Sequence, residues 1–371
     1  MKKKFLCGIL CLFLVFACGC TAGNPTLDIN DGFTSDTVAS SAPEPEKLEI
    51  NPLTGVPELK KGKENLRPVA VMINNMSGIE KVQTGEAMAD IIYETEVEGG
   101  ITRMMAVFKD ISKAQQIGCI RSARYAYVDL AAGHDALYVH CGLDSRYCQA
   151  HFNELNSDHI DINTGVAGKY GFRQSNGLAY EHTMYTTGEK LVSAQQGMKR
   201  RTTTEKQGWI SFAPYDEGAA VIPATSAQKV HIRFSGAASN SFTYNETTGM
   251  YERTKNGQFL TDYKTGERVA VKNVFVLTTT MGYYSNGHHR NISLTGGDGY
   301  YIVNGKYEQI KWTKGGANDS FKFTKADGTP FTAQAGSSWV CIANKSTAKV
   351  TYTAAPVPET SSAVSSPSVA G

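Results

Sequence analysis

Charged and imidazole side chains that could bind or transform a polar ligand are concentrated between residues 94 and 182. They are Glu94, Glu96, Glu98, Arg103, Arg121, Arg124, His140 and His182. The three glutamates alternate, and alternate residues of a strand share a face, so their charges repel unless a cation or an arginine separates them. Arginine binds carboxylate and phosphate groups bidentately. The pattern predicts an anion-binding cleft whose ligand-binding residues are Glu94, Glu98, Arg103, Arg121 and Arg124.

Arg121 and Arg124 flank a predicted junction between a strand and a helix, for which Ser122 is the expected N-cap. The free backbone N–H groups at the start of a helix favour an anion. An internal interpretation stays open, in which the three arginines hold the fold together by pairing with neighbouring carboxylates. The partners would then be Glu94, Glu98 and Asp129.

A catalytic role would require several of these groups to converge. Glu98, His140 and His182 are the candidates for general acid–base catalysis, and the alternative for each histidine is a structural role. His288 and His289 with Asp298 do not match the spacing of a metal site. The sequence has no phosphate-binding loop, dinucleotide fingerprint or nucleophile elbow in a suitable context, so it predicts neither a metal nor a cofactor.

Interleaved strand and helix patterns must position these residues. The predicted strands cover 67–74, 89–94, 102–108 and 136–140, and the predicted helices follow Ser122 and cover 145–155 and 187–198. This order predicts a layered α/β domain at 51–208.

The segment 209–353 reads differently, because short alternating runs and turn signals replace the helices. Residues 230–234 alternate like a half-buried strand, and Asn304-Gly305 is a strong hairpin signal. We predict a smaller β-rich domain, either a sandwich or a barrel. Its aromatic residues either stack on sugars or form an ordinary core; they are Tyr283, Tyr284, Tyr300, Tyr301, Tyr307 and Trp312.

Residues 1–20 have the order of a secretory signal, with Lys2–Lys4, an apolar run at 5–16, and a small-residue box containing Cys18 and Cys20. The apolar run is shorter than the about 20 residues that span a bilayer. We predict a bacterial lipobox in which Cys20, or alternatively Cys18, is acylated, for example with palmitate. The protein would then be held by its lipid anchor at the extracytoplasmic face of the cell membrane. An ordinary secretory signal is the alternative.

Composition limits the remaining functions. Polar, Pro- and Ser-rich stretches predict a disordered tether at 21–50 and a disordered tail at 354–371. Without Lys2–Lys4 the chain has 34 basic and 35 acidic residues, which argues against nucleic-acid binding. The four cysteines outside the leader are expected to be mostly buried free thiols, with a Cys141–Cys148 bridge as an alternative. They are Cys119, Cys141, Cys148 and Cys341.

Several segments resemble the YerB-like lipoproteins of Gram-positive bacteria. They are Asn-Pro-Leu-Thr-Gly at 51–55, Ala-Asp-Ile-Ile-Tyr-Glu at 89–94, Val-Glu-Gly-Gly-Ile-Thr-Arg at 97–103, Ile-Gly-Cys-Ile-Arg-Ser-Ala-Arg at 117–124, Tyr-Val-His-Cys-Gly at 138–142 and Gly-Ser-Ser-Trp at 336–339. The likeness covers most of the body, and the family has no established activity to transfer. Residues 181–186 depart from the family pattern Pro-His-Asn-Leu-Tyr-Thr, so the local turn is expected to differ.

Together these features predict an extracytoplasmic lipoprotein that binds or scaffolds an anionic cell-wall polymer or an envelope protein. One alternative is an envelope hydrolase or transferase acting on a glycan or a phosphate-containing substrate. Another is a protein–protein adaptor at the membrane surface.

Overall fold

The computed structural model describes residues 47–206, 208–215, 221–255 and 257–354. The predicted leader at 1–20, nearly all of the tether at 21–50 and all but the first residue of the tail lie outside the described residues. The end of the predicted tether is corrected, because Glu49–Ile50 forms a short strand that pairs with Pro57–Leu59. No helix in the described ranges is long and apolar enough to cross a membrane.

The described chain consists mainly of strands, with three α-helices, α1 (Tyr125–Gly133), α2 (Cys148–Leu155) and α3 (Gly188–Gly197). The strands before residue 208 are β1 (Glu49–Ile50), β2 (Pro57–Leu59), β3 (Val69–Ile73), β4 (Ile91–Glu96), β5 (Thr102–Phe108), β6 (Ile117–Gly118), β7 (Leu137–His140), β8 (His159–Asp161), β9 (Phe172–Arg173) and β10 (Met184–Thr186). Those after it are β11 (Thr225–Ser226), β12 (Lys229–Arg233), β13 (Ser239–Asn245), β14 (Met250–Lys255), β15 (Gln258–Phe259), β16 (Ala270–Val271), β17 (Asn273–Thr279), β18 (Met281–Tyr283), β19 (Arg290–Ile292), β20 (Gly296–Val303), β21 (Lys306–Thr313), β22 (Lys322–Lys325), β23 (Ser338–Asn344) and β24 (Lys349–Thr353).

One large sheet runs through the described part of the chain and takes strands from both halves of the sequence. Its order is β11-β21-β20-β17-β23-β4-β5-β3-β7-β8, with β22 paired to β21. The two halves join where β23 lies parallel to β4, with Cys341 opposite Glu94. The predicted boundary at 208/209 therefore separates residues that share one sheet, and the domain limits stay a prediction.

Apolar side chains cover both faces of this central sheet. On one face, β17 contacts β14 of the second sheet, whose order is β15-β14-β13-β12-β24 with β16 paired to β14. On the other face, α1 and α2 pack over the sheet, and Phe152 of α2 contacts the buried ring of Tyr138 in β7. Trp209 contacts Phe275 of β17 in the C-terminal half. The result is a three-layer molecule whose middle layer is buried on both sides, which explains the near-continuous apolar runs of its strands.

Most predicted elements form within a few residues of their predicted limits. β5 has the predicted bounds, and α2 and α3 lie inside the predicted helices. The Asn304-Gly305 hairpin joins β20 to β21 with φ of 50° and 72°, the left-handed values that its turn requires. The Ser122 cap is wrong, because α1 begins at Tyr125 with Arg124 as its N-cap residue. The predicted α+β, β-rich fold class is confirmed, and no described sheet closes into a barrel.

Candidate functional site

The four residues 121–124, here called the arginine turn, are fixed between the carboxyl ends of β3 and β7. The backbone N–H of Arg121 donates to the carbonyl of Met72, and its carbonyl accepts from the N–H of Cys141. The N–H of Ala123 donates to the carbonyl of Gly142. Because β3 and β7 are parallel, their carboxyl ends meet at one edge of the sheet, where α/β proteins commonly bind ligands.

Two guanidinium groups donate to carbonyls of the arginine turn. Arg103 Nη1 donates to the carbonyl of Ser122 at 2.7 Å, and Arg124 Nη1 donates to that of Ala123 at 2.8 Å. Arg124 Nε also donates to both carboxylate oxygens of Glu98, at 2.7 and 2.9 Å. Burial opposes ionisation of Glu98, but the adjacent Arg124 outweighs it and lowers the pKa of Glu98. This pair is the one part of the internal interpretation that the structure forms as predicted.

Arg103 is a buried cation that lacks a carboxylate partner. Its exposed fraction is 6%, and within the described residues no carboxylate oxygen lies within 4.0 Å of its guanidinium. Burial lowers the pKa of Arg103 to about 9, with a further contribution from the positive charges of Arg124 and Arg121. Three guanidiniums therefore surround the arginine turn, and among the described residues only Glu98 forms an ion pair with any of them.

Arg121 contacts a different element, the 3₁₀ turn Tyr180–His182. Its Nη1 donates to the carbonyl of Glu181 at 2.6 Å and approaches His182 Nδ1 at 3.1 Å. Arginine only donates, so Nδ1 is the acceptor and the neutral imidazole carries its proton on Nε2. Burial and the charge of Arg121 lower the pKa of His182, which favours this neutral form. The Nε of Arg121 is buried and has no partner in the described structure.

Arg173, which the sequence analysis did not single out, supports the same 3₁₀ turn. Its Nη1 donates to the carbonyl of Tyr180 at 2.7 Å, and its guanidinium lies 3.6 Å from the centre of the Tyr180 ring. Its Nη2 donates to the side-chain oxygen of Asn163 at 3.0 Å. Glu181, in the same 3₁₀ turn, has an exposed side chain, and its Oε1 lies 3.9 Å from His182 Nε2.

Glu94, predicted as a ligand-binding residue, is fully buried and has internal partners for both oxygens. Oε1 accepts from Asn75 Nδ2 and from Thr102 Oγ1, each at 2.8 Å, and Asn75 Nδ2 also donates to Thr102 Oγ1 at 2.7 Å. Oε2 accepts from Asn240 Nδ2 at 2.6 Å and from Trp339 Nε1 at 3.0 Å. These contacts favour a structural role in which Glu94 joins the two halves of the sequence.

His140 also has internal partners. Its Nδ1 lies 2.9 Å from the carbonyl of Gly142, its Nε2 lies 2.9 Å from His159 Nδ1, and its ring stacks on Phe152. Burial lowers the pKa of His140 to about 4. In the described residues no contact joins any two of the catalytic candidates, because Glu98 binds Arg124 and His182 binds Arg121. The structure does not assemble them into one acid–base group.

A small pocket, here called the tyrosine pocket, lies beside Glu98 and the first turn of α1. Its polar and aromatic lining consists of Glu96, Glu98, Arg124, Tyr125, Tyr127, Asp144, Tyr147, Tyr284, His289 and Arg290. Arg290 pairs with Glu96, and His289 Nε2 lies 3.5 Å from Asp144 Oδ1. Burial raises the pKa of Glu96 although Arg290 opposes the shift. Sequence analysis missed Tyr125, Asp144, Tyr147 and Arg290.

The remaining predicted groups lie elsewhere. Tyr301 and Trp312 are buried in the core, and Tyr307 stacks on Tyr352 with 4.0 Å between ring centres. Cys119, Cys141, Cys148 and Cys341 are free thiols, so the alternative Cys141–Cys148 bridge is not formed. Within the described ranges, no three or more His, Cys, Asp or Glu side chains are arranged to hold a metal ion.

Two family models match the chain, one for each half. The N-terminal domain of the family described as "Protein of unknown function (DUF3048)" matches residues 53–202, and its C-terminal domain matches residues 230–340. The chain belongs to the DUF3048 family. A relative in this family is the Bacillus subtilis (strain 168) protein named "Putative lipoprotein YerB", which is 28% identical over 279 residues, 73% of this chain and 80% of the relative. The predicted YerB-like membership is thereby confirmed.

The DUF3048 fold is also found in a solved structure. The crystal structure of the YerB protein from Bacillus subtilis superposes with a TM-score of 0.69 at 24% identity, covering 81% of this chain and 98% of that one. At this identity the match supports the fold alone. The family description and the relative's name give no activity, so the function must be argued from the geometry of the site.

Proposed function

We propose that this DUF3048 protein is lipid-anchored at the extracytoplasmic face of the membrane and binds an anionic cell-envelope ligand at the arginine turn. The anchor rests on the lipobox-like leader with Cys20 or Cys18, and on the likeness to a relative named as a lipoprotein. Acyl chains provide durable attachment when two or more are present. The binding role rests on the charge of the arginine turn.

The observation that carries the proposal is the excess of positive charge around residues 121–124. Arg103, Arg121 and Arg124 surround the turn, and Glu98 is the one carboxylate in the described chain that pairs with them. Backbone carbonyls accept from Arg103 and Arg121 without cancelling their charges. Arg103 is a buried cation without an ion pair in the described residues, and a buried unpaired charge is costly. A carboxylate or phosphate ligand at the turn would offset that cost and would pair with the half-buried Arg121.

The two alternatives have less support. A hydrolase or transferase would need its acid and base in one place, whereas Glu98, His140 and His182 have separate partners. A pure adaptor would be favoured by an exposed apolar patch without a polar pocket, whereas the arginine turn adjoins, at Arg124, a pocket whose lining includes charged side chains.

The test is retention of the full chain on purified cell-wall fractions. One fraction carries its phosphate-containing polymers, and a matched fraction has been stripped of them with hydrofluoric acid. We expect saturable retention on the intact fraction, reduced by stripping and by the double substitution Arg121→Ala, Arg124→Ala. The control is Arg200→Ala, Arg201→Ala, which removes the same charge from residues paired with Asp158 and Asp135.

Thermal unfolding of every variant separates lost binding from lost folding. Equal retention of both double variants, or equal retention on both wall fractions, would contradict the proposal. If Arg121→Ala, Arg124→Ala lowers the melting temperature as strongly as it lowers retention, the internal interpretation is favoured instead.

A further inference from the structure

A cleft of about 420 Å³, here called the junction cleft, lies where the second sheet meets the carboxyl end of β3 and the start of β5. The two regions that the family models match separately both line it. The polar groups used below are Asn75, Ser77 and Thr102 from the first region, and His231, Ser239 and Thr254 from the second. Ligand sites occur preferentially at such junctions, and the volume lies in their range of roughly 300–1,000 Å³.

The wall that the first region contributes is held in place by a buried network. Asn75 Nδ2 donates to Thr102 Oγ1 at 2.7 Å and to Glu94 Oε1 at 2.8 Å, and Asn75 Oδ1 accepts from Arg253 Nη2 at 2.7 Å. The Thr102 hydroxyl in turn donates to Glu94 Oε1. The donor hydrogens of this wall are therefore already used, and its shape is preformed, as in most small-molecule sites.

The wall that the second sheet contributes has polar groups without internal partners. Thr254 is only 9% exposed, yet its hydroxyl forms no hydrogen bond within the described residues. The hydroxyls of Ser239 and Ser77 likewise form none there. His231 Nδ1 lies 2.8 Å from Ser241 Oγ, which leaves Nε2 of the ring available to a ligand. Each of the three hydroxyls can both donate and accept, so this side of the cleft suits a ligand whose own groups do the same.

The charges around the junction cleft favour an uncharged ligand. Lys255 is the one described lining residue with a permanent charge, and it is paired with Glu80. A cation would find no carboxylate among the described lining residues. An anion would lie one hydrogen bond from the buried carboxylate of Glu94, which is bound directly behind Thr102. A neutral ligand with several hydroxyl groups avoids both costs and supplies partners for the free hydroxyls.

We infer that the junction cleft binds a short neutral saccharide through hydrogen bonds to Thr254, Ser239 and His231. The apolar side chains of Ile101 and Ala237 line the same cleft and would contact its C–H groups. No aromatic ring is among the described lining residues, so affinity rests on hydrogen bonds and we expect a dissociation constant of about 1 mM. The inference does not rest on anion binding, because the arginine turn does not line this cleft.

The test uses the full chain in a detergent without a sugar headgroup, so that the detergent does not compete. The probes are four disaccharides that differ in charge. Cellobiose and N,N′-diacetylchitobiose are neutral, chitobiose is cationic and digalacturonate is anionic. Saturation-transfer NMR titrations measure binding. We expect saturable binding of at least one neutral disaccharide, and weaker binding of both charged ones.

Two substitutions with matched controls locate the bound saccharide. Thr254→Val removes the buried hydroxyl while keeping the shape of the side chain, and should weaken binding about fivefold. Its control is Thr243→Val, on the same face of the neighbouring β13 but outside the cleft. Ala237→Trp, in the exposed bend between β12 and β13, fills the cleft and should abolish binding. Its control is Ala326→Trp, in an exposed turn elsewhere. Both controls should bind like wild type.

A measurement on the unmodified chain keeps the inference testable even if a variant fails to fold. Neutral saccharide should slow backbone hydrogen exchange at residues 75–77 and 237–241, which border the cleft. Failure of both neutral disaccharides to bind, tighter binding of a charged one, protection elsewhere only, or equal losses in Ala237→Trp and Ala326→Trp would overturn the inference. Arg121→Ala should leave saccharide binding unchanged, so saccharide binding and the proposed anion binding succeed or fail separately.

Discussion

Replacing Glu94 should destabilise the fold strongly without acting through a ligand. Its carboxylate accepts hydrogen bonds from four side chains, those of Asn75, Thr102, Asn240 and Trp339. Glu94 is fully buried, so water does not compete for these bonds. Glu94→Ala leaves these donors without an acceptor and creates a cavity. Each unsatisfied buried donor costs about 1–3 kcal/mol, the losses are not additive, and breaking a buried charged network costs about 3–5 kcal/mol. We therefore expect a loss of about 4 kcal/mol in the free energy of unfolding.

Glu94→Gln should cost less, because its amide can be oriented to keep most of the network. Trp339 Nε1 only donates, and the Asn240 oxygen accepts from Arg253, so the retained oxygen must face these two residues. The new NH₂ group then faces the Thr102 hydroxyl, which loses Glu94 Oε1 as its acceptor, and Asn75 Nδ2, which keeps Thr102 Oγ1 as an acceptor. One lost acceptor predicts a cost of about 1–3 kcal/mol.

Guanidinium unfolding followed by far-UV circular dichroism measures both losses, since tryptophan fluorescence would respond directly to Trp339. Glu246→Ala, at an exposed turn, is the matched loss of a carboxylate and should lie within about 0.5 kcal/mol of wild type. A loss below about 1 kcal/mol for Glu94→Ala, or a larger loss for Glu94→Gln than for Glu94→Ala, would refute the reasoning.

Three further predictions concern the anchor, an acid-sensitive histidine and a close backbone contact. Cys18→Ser, Cys20→Ser should move the protein out of the membrane fraction, and continued sedimentation with membranes would contradict acylation. Burial lowers the pKa of His134 to about 3, so between pH 6.5 and 3 the unfolded state binds a proton that the folded state does not. Stability must fall as the pH falls through this window, by up to about 1.4 kcal/mol per pH unit. In urea unfolding at several pH values, His134→Gln should remove about one proton from this dependence, and an unchanged slope would exclude His134 as its source. Gly188→Ala would bring a Cβ to 2.0 Å from the carbonyl oxygen of Ile111 and should cost about 1–3 kcal/mol in denaturant unfolding. Gly168→Ala enters open space and should change stability by less than about 0.5 kcal/mol; equal effects of the two substitutions would refute the steric argument.

The strands could be predicted from sequence because their signals are local. The apolar run of β5 and the Asn304-Gly305 turn depend on neighbours in the chain, and both form as expected. The prediction of Ser122 as the N-cap is wrong because its neighbours form backbone hydrogen bonds outside the helix. Arg121 bonds to Met72 of β3 and Ala123 bonds to Gly142 just after β7, so α1 begins only at Tyr125. Tertiary contacts of this kind override a local capping preference.

The candidate site was harder to predict because its partners come from distant parts of the chain. Alternation placed Glu94, Glu96 and Glu98 on one strand, but β4 ends at Glu96 and the following residues turn away. The partners of Glu94 at 240 and 339 follow from the parallel insertion of β23 beside β4, which no local pattern encodes. The tyrosine pocket joins Tyr125, Tyr147 and Tyr284 in the same way.

The positive charge of the arginine turn follows from how the fold uses its nearby carboxylates. Glu94 accepts from neutral donors, and Glu98 pairs with Arg124. Asp129 is bound by His151, with 2.5 Å between His151 Nε2 and Asp129 Oδ1. Had these groups paired as the internal interpretation expected, Arg103 and Arg121 would each face a carboxylate. They face backbone carbonyls instead, which satisfy hydrogen bonds without cancelling charge. In the described residues neither Arg103 nor Arg121 forms an ion pair, which is why we propose that an anion from outside compensates for the cost of keeping these arginines at the sheet edge.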